Sequence, residues 1–165
     1  KGPTKRHELY TEYKANRDAM PEGISLAIPY IKSFIDALNI TQVSLAGYEA
    51  DDLIGTLSKQ AEKEGFTTYM ITPDKDFAQL VTENTFIYKP GKRADGPTIM
   101  GKNEVCDKYG LKDINQFIDF LGMMGDSSDN IPGISGVGPK TAQRLIKEYG
   151  SMIILEEALA LPQPT

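Results

Sequence analysis

The chain has 165 residues, 40% of them hydrophobic, and its 15 glycines bring the apolar share to about 49%, which suits one packed domain, or one with a small appendage, and excludes a disordered tail. No apolar run nears the roughly 18 residues that cross a bilayer, and a lone cysteine, Cys106, and a lone histidine, His7, exclude an internal disulfide, leave little room for zinc and suit the reducing cytoplasm. The 18 basic and 23 acidic residues give a net charge of −5, which on its own speaks against a nucleic-acid partner.

Residues 1–23 are polar and rich in Arg, Lys and Tyr, and Pro21-Glu22-Gly23 closes them; without a steady apolar period they read as a mobile or partner-dependent stretch. Ile28, Ile31, Ile35 and Leu38 predict an amphipathic helix over 27–39, stopped by Asn39. Residues 42–45 read as a short strand ended by Ala46-Gly47. Leu53, Ile54, Leu57 and Ala61 predict a second helix over 49–64, terminated by Gly65. The aromatic and β-branched run 66–72 reads as a strand, handing over at Asp74 and Asp76 to a short helix with Phe77, Leu80 and Val81; residues 85–88 read as a third strand. This alternation predicts an α/β fold with a mostly parallel sheet, whose ligands gather at the carboxyl ends of the strands. The Gly- and Pro-rich residues 89–98 form a loop. Beyond them no strand is expected, and helices are predicted near 101–109, 113–124, 138–149 and 151–160, so the chain divides into an α/β part, 1–98, and a helical part, 99–165.

Seven of the 23 acids fall into three clusters: Glu49, Asp51 and Asp52; Asp74 and Asp76; Asp126 and Asp129. Setting them aside leaves 18 basic against 16 acidic residues, a balance of +2, so cations held by the clusters would reverse the sign of the working surface. At a helix start the dipole accounts for one or two acids, but three carboxylates in four positions repel one another unless a cation sits among them. Asp74 and Asp76 share a face if the strand geometry continues; an Asx turn or an N-cap is the plainer account. The spacing of Asp126 and Asp129 suits two carboxylates on one helical turn, or simply a polar helix end. Oxygen-only donor sets fit hard cations such as Mg²⁺ or Mn²⁺, and paired ions can activate water and stabilise both oxygens of a phosphodiester displacement.

Gly133, Gly136 and Gly138, followed by Pro139, Lys140 and Thr141, form a turn able to aim backbone N–H groups at a DNA phosphate, though an ordinary helix–helix connection has the same ingredients. Arg6, His7, Tyr10, Tyr13, Lys14 and Arg17 interleave cations with aromatics. That suits single-stranded nucleic acid, and equally a solvated helix face.

These motifs, Arg6-His7-Glu8, Tyr13 to Arg17, Gly47 to Asp52, Asp74-Lys75-Asp76, Gly125 to Gly133 and Gly136 to Ala142, resemble in order and spacing the 5′-nuclease domain of bacterial DNA polymerase I. The resemblance implies a PIN-like, resolvase-like nuclease core in 1–98, with an arch segment at 1–23, and a helix-three-turn-helix DNA-binding subdomain in 99–165. It implies a 5′-3′ exonuclease and structure-specific flap endonuclease that removes 5′ flaps and RNA primers in replication and repair. Glu49, Asp51, Asp52, Asp74, Asp76, Asp126 and Asp129 match the acids that hold two Mg²⁺ or Mn²⁺ ions. Lys14 and Arg17 match the catalytic basic residues of the arch that grips the 5′ strand, with Arg6 and Tyr13 beside them on the DNA. Gly136, Gly138, Lys140 and Thr141 match the turn that binds duplex, where a K⁺ ion is held by backbone carbonyls.

Members of that family begin with a strand bearing a metal-binding aspartate and carry a Phe-Asp pair before the Gly-Pro-Thr found here at 2–4; this sequence holds neither. It is therefore expected to be a fragment with most nuclease activity lost, and to self-associate through uncovered sheet surface. Lys5 stands where an aromatic residue is usual, and Pro73 where a small one is. A non-catalytic module that recognises DNA structure, its acids vestigial, is the alternative; a small-molecule phosphohydrolase leaves the glycine turn and the basic arch unexplained.

Overall fold

The computed structural model describes residues 3–91 and 96–160, so Lys1 and Gly2, residues 92–95 of the expected loop and residues 161–165 lie outside the described residues. The chain forms two compact units, Lys1–Leu53 with Ser128–Asn130, and Ile54–Ser127 with Ile131–Thr165.

The first unit holds α1 (Lys5–Leu9), α2 (Glu22–Ala37) and the opening of α3 (Ala50–Lys63). Thr4 starts α1: its backbone N–H donates to His7 Nδ1 at 3.1 Å and its hydroxyl lies 2.9 Å from the same nitrogen, which satisfies a donor that the helix start would otherwise leave open. Helix α2 begins at Glu22, ahead of the predicted 27, and Asn39, with φ +56°, supplies the left-handed stop that the sequence predicted. No residue of α2 is buried; Ile31 is 53% and Phe34 67% exposed.

Two expectations fail here. Residues 42–45 are not a strand: among the described residues no strand pairs with them, and Val43 and Leu45 stay exposed. A strand needs a partner for its ladder, which alternation alone does not supply. Nor does the basic segment hang free. Tyr13 is 4% exposed, Lys14 N–H donates to the Asp129 carbonyl at 2.9 Å, and the Asn130 side-chain amide donates to the Glu12 carbonyl at 2.7 Å. Polar ties, not an apolar stripe, hold this segment.

In the second unit α3 continues to Lys63, stopped as predicted before Gly65 (φ +83°). Strand β1 (Thr68–Ile71) runs parallel to β2 (Thr85–Lys89), in register from Thr68 opposite Thr85 to Ile71 opposite Tyr88. Strand β3 (Thr98–Met100), where no strand was expected, pairs antiparallel with β2. The sheet is therefore small and mixed, in the order β1-β2-β3. Helices α4 (Lys102–Tyr109), α5 (Gln116–Met124), α6 (Pro139–Tyr149) and α7 (Met152–Ala160) follow close to their predicted places.

One core unites this unit. Met70, Ile87 and Met100 come from the sheet and Phe77 from a short 3-10 turn, Asp76–Leu80, while Phe117, Phe120 and Met123 form the buried stripe of α5. Each such side chain contributes about 1.5–3 kcal/mol on burial. Helix α5 ends at Gly125 (φ +66°), after which Asp126 and Ile131 exchange backbone hydrogen bonds, both 2.8 Å. Asp126 and Asp129 thus belong to a turn, not to one helical face: the left-handed glycine ends the helix before either acid.

Candidate functional site

In the first unit, Glu49 immediately precedes α3, and Asp52, three residues on, accepts the Glu49 backbone N–H at 2.9 Å, an acid at the third helical position reaching back to satisfy the cap amide. The same carboxylate takes a two-pronged grip from Arg6, Nη1 and Nη2 each 2.7 Å from a separate oxygen. Arg6 holds the Asp52 carboxyl below the usual carboxylate range, and the pairing raises the guanidinium in turn. Lys5, in place of the usual aromatic, donates to the Tyr48 hydroxyl at 2.6 Å.

Lys14 adopts the left-handed backbone region (φ +58°), uncommon for a residue with a Cβ and tied down by the Asp129 carbonyl. Its Nζ lies 2.6 Å from Glu49 Oε2 and 3.6 Å from Asp129 Oδ2. The Tyr13 hydroxyl reaches the same two carboxylates at 3.1 and 2.9 Å, and Arg17 pairs with Asp129 while donating to the Ser128 carbonyl at 3.0 Å. Glu49 and Asp129, far apart in the chain, therefore meet around one ammonium and one phenol. Burial raises the Tyr13 phenol to about 12. Burial also pushes Glu49 up, but hydrogen bonds from Lys14 and Tyr13 outweigh it and leave the carboxyl lowered; for Lys14, burial is outweighed by its bond to Glu49, and the ammonium is raised. Asp51 is exposed in the first turn of α3.

The second unit carries the other group. Asp76 N–H donates to Asp74 Oδ1 at 2.9 Å, an Asx turn that starts the 3-10 segment after β1. Between Asp74 and Asp76, Lys75 extends its Nζ to 3.1 Å from Asp76 Oδ1 and 3.1 Å from Asp126 Oδ2. Burial raises the Asp76 carboxyl against the pull of Lys75; burial lowers Lys75, but its two acids outweigh that and raise it.

Among the described residues, no group of three or more His, Cys, Asp or Glu side chains is arranged to hold an ion by itself. Four of the seven acids come together in two pairs, Glu49 with Asp129 and Asp76 with Asp126, each around a lysine ammonium, while Asp52 is gripped by Arg6 and Asp74 closes the Asx turn. That arrangement fits a hard cation in two respects: every donor is an anionic oxygen, and the point between the paired acids is already one where positive charge is held.

The glycine turn lies wholly in the second unit. Val137 N–H donates to the Ile134 carbonyl at 3.0 Å, closing a turn with Gly136 at φ +77°, and Gly138 caps α6 ahead of Pro139. Lys140 is exposed and Thr141 half-buried in the first turn of that helix. Tyr13, expected beside the DNA, donates its hydroxyl to two carboxylates, and one contributor escaped the sequence reading. Lys75 was left without a role, although a cation flanked by two aspartates is a legible hint.

The chain belongs to the 5′-3′ exonuclease family: residues 1–110 match the family model for the 5′-3′ exonuclease N-terminal resolvase-like domain, and residues 113–163 that for the 5′-3′ exonuclease C-terminal SAM fold. The chain is similar to the thermostable DNA polymerase I of Thermus thermophilus, 41% identical over 165 residues that make up all of this chain and 19% of the relative. It is 44% identical to DNA polymerase I of Bacillus subtilis over 156 residues, 94% of this chain and 18% of the relative. The chain thus spans about a fifth of the length of these curated relatives. Among solved structures it resembles the T5 D15 protein co-crystallised with metal ions, with a TM-score of 0.79 and 25% identity over all of this chain and 64% of that one. The catalytic core of Rad2 in complex with DNA substrate shares the fold, with a TM-score of 0.64 and 18% identity over 94% of this chain and 48% of that one. Among the described residues no helix is long and apolar enough to cross a membrane.

Proposed function

We propose that this chain is part of the metal-dependent 5′-nuclease domain of a DNA polymerase I, a domain that performs 5′-3′ exonuclease and flap-endonuclease cleavage of phosphodiester linkages in 5′ flaps, nicked duplex and RNA primers, in replication and repair in the cytoplasm, and that the chain by itself retains little of that activity. The observation that supports it most is the meeting of chain-distant carboxylates in pairs, Glu49 with Asp129 and Asp76 with Asp126, each around a cation, in a member of the exonuclease family. Glu49, Asp51, Asp52, Asp74, Asp76, Asp126 and Asp129 would hold two divalent ions, Mg²⁺ or Mn²⁺, as the T5 D15 protein co-crystallises with metal ions. When bound, such ions supply an activated water and charge for the leaving oxygen.

The remaining work falls to the chain itself. Lys14 and Arg17, with Arg6 and Tyr13 alongside, offset the charge of a 5′-strand phosphate from the segment 1–23. The turn at Gly136 and Gly138 brings backbone close to a duplex phosphate, with Lys140 adding charge, Thr141 a hydroxyl, and carbonyls of the turn a seat for K⁺. In this reading 1–98 is the nuclease core and 99–165 the duplex-binding part. Self-association through the exposed apolar sheet residues Tyr69 and Ile71 of β1 belongs to the same proposal.

Calorimetric titration with Mn²⁺ tests it. The chain should bind the ion, and Asp74→Asn and Asp76→Asn should each weaken binding at least several-fold. Equal binding by wild type and both variants, or none by any, would count against a metal-dependent nuclease and favour a DNA-structure binder.

A further inference from the structure

We propose that Lys75 is a built-in counter-ion of the Asp76–Asp126 pair, a side chain that a divalent ion must displace in order to bind. The inference rests on the reading of those two acids as metal ligands. Lys75 Nζ lies 3.1 Å from an oxygen of each, bridging residues 50 positions apart in the chain. The acids are aimed by backbone. Asp76 follows an Asx turn closed by the Asp74 carboxylate, and Asp126 is held by its paired hydrogen bonds to Ile131 beside the close approach of Gly125 and Gly133. Lys75 is the adaptable member: its side chain is 42% exposed, against 33% for Asp76 and 21% for Asp126, and an ammonium on a four-carbon stem can swing to solvent without moving the main chain.

Two effects follow from this placement. With no ion bound, Lys75 relieves the repulsion between two carboxylates that share one position, so the pair keeps its geometry. With an ion bound, the ammonium and the ion compete for the same oxygens, and apparent metal affinity falls by the strength of the displaced ion pairs. Two partly exposed pairs of this kind correspond to about a three- to tenfold loss of affinity.

The test is Mn²⁺ titration calorimetry on the 165-residue chain, on Lys75→Met, and on Lys102→Met, a control that removes a lysine paired with Glu83 in the same unit. Lys75→Met should bind Mn²⁺ about three- to tenfold more tightly than wild type, while Lys102→Met stays within about twofold. Equal or weaker binding by Lys75→Met, or the same tightening in Lys102→Met, overturns the role of Lys75 while leaving the metal reading intact. Failure of wild type and Lys75→Met alike to bind overturns both. A second readout needs no variant: on addition of Mg²⁺ to wild type, the side-chain nitrogen resonance of Lys75 should shift and its ammonium protons exchange faster with water. An ammonium whose signals ignore Mg²⁺ at saturating concentration overturns the inference even if every variant misfolds.

Discussion

Replacing Gly133 with alanine should cost far more stability than the same change five residues further on, although both glycines belong to one motif. A Cβ on Gly133 would sit 2.6 Å from the backbone nitrogen of Gly125 and overlap the Met124 carbonyl, where ordinary contact needs more than 3 Å. The obstruction is main chain at the end of α5, which has no rotamer to change. Either that end or residues 131–134 must shift, putting at risk the Ile134 N–H bond to the Met123 carbonyl and the paired Asp126–Ile131 bonds, all 2.8 Å. Overpacking of this kind costs about 1–3 kcal/mol and each lost hydrogen bond about 0.5–1.5, so Gly133→Ala should destabilise by roughly 3–5 kcal/mol. Gly136→Ala meets no atom within 4 Å but keeps φ at +77°, for a cost of about 1–2 kcal/mol. Gly138→Ala meets neither obstacle and loses only the better N-cap that glycine makes for α6, a cost of about 0.5–1 kcal/mol. Urea unfolding followed by circular dichroism ranks the three. A Gly133→Ala midpoint indistinguishable from that of Gly138→Ala would refute the close-approach reasoning.

Other predictions address the polar ties of the first unit. Tyr13→Phe should remove the latest component of the alkaline near-ultraviolet absorbance titration, because burial raises the Tyr13 phenol to about 12; stability it contributes is complete below pH 10 and is lost as pH rises towards 12, and a variant titration that superimposes on wild type would contradict this. Asp52 is lowered by Arg6, so its contribution is present above about pH 4 and fades as pH falls through the lowered folded value. Arg6→Met should therefore flatten the acid limb of thermal stability, by about 1 kcal/mol or less since the pair is partly solvated, with an unchanged limb as the contrary result. On the exposed sheet surface, Ile71→Glu should abolish concentration-dependent self-association in sedimentation equilibrium, leaving an 18.2 kDa species, whereas a wild type that is monomeric at high concentration would dispose of self-association altogether.

Helix α3 and its acids were legible because Ile54, Leu57 and Ala61 declare a face locally and Gly65 declares an end. Residues 42–45 and 98–100 show the opposite case. Val43 and Leu45 alternate like a strand yet lack a ladder partner among the described residues, whereas Thr98 to Met100 look like the end of a loop and become β3 because Lys89, Tyr88 and Ile87 are there to pair with them. Strand status is decided by a pairing neighbour, near or distant in sequence. The segment up to Arg17 hid its order for a related reason: Arg6 answers to Asp52 and Lys14 to Glu49, contacts that leave no periodicity to read. Residue types marked the acids as candidate hard-cation donors, but not that two pairs of them would close on a lysine, since that depends on side-chain placement across the fold.

The central claim, that these carboxylates hold divalent cations, is tested most directly by paramagnetic broadening with Mn²⁺. At substoichiometric Mn²⁺, backbone amide signals flanking Asp76 and Asp126, and those flanking Glu49 and Asp129, should lose intensity first. Broadening that is uniform, or centred away from both carboxylate pairs, would contradict the account.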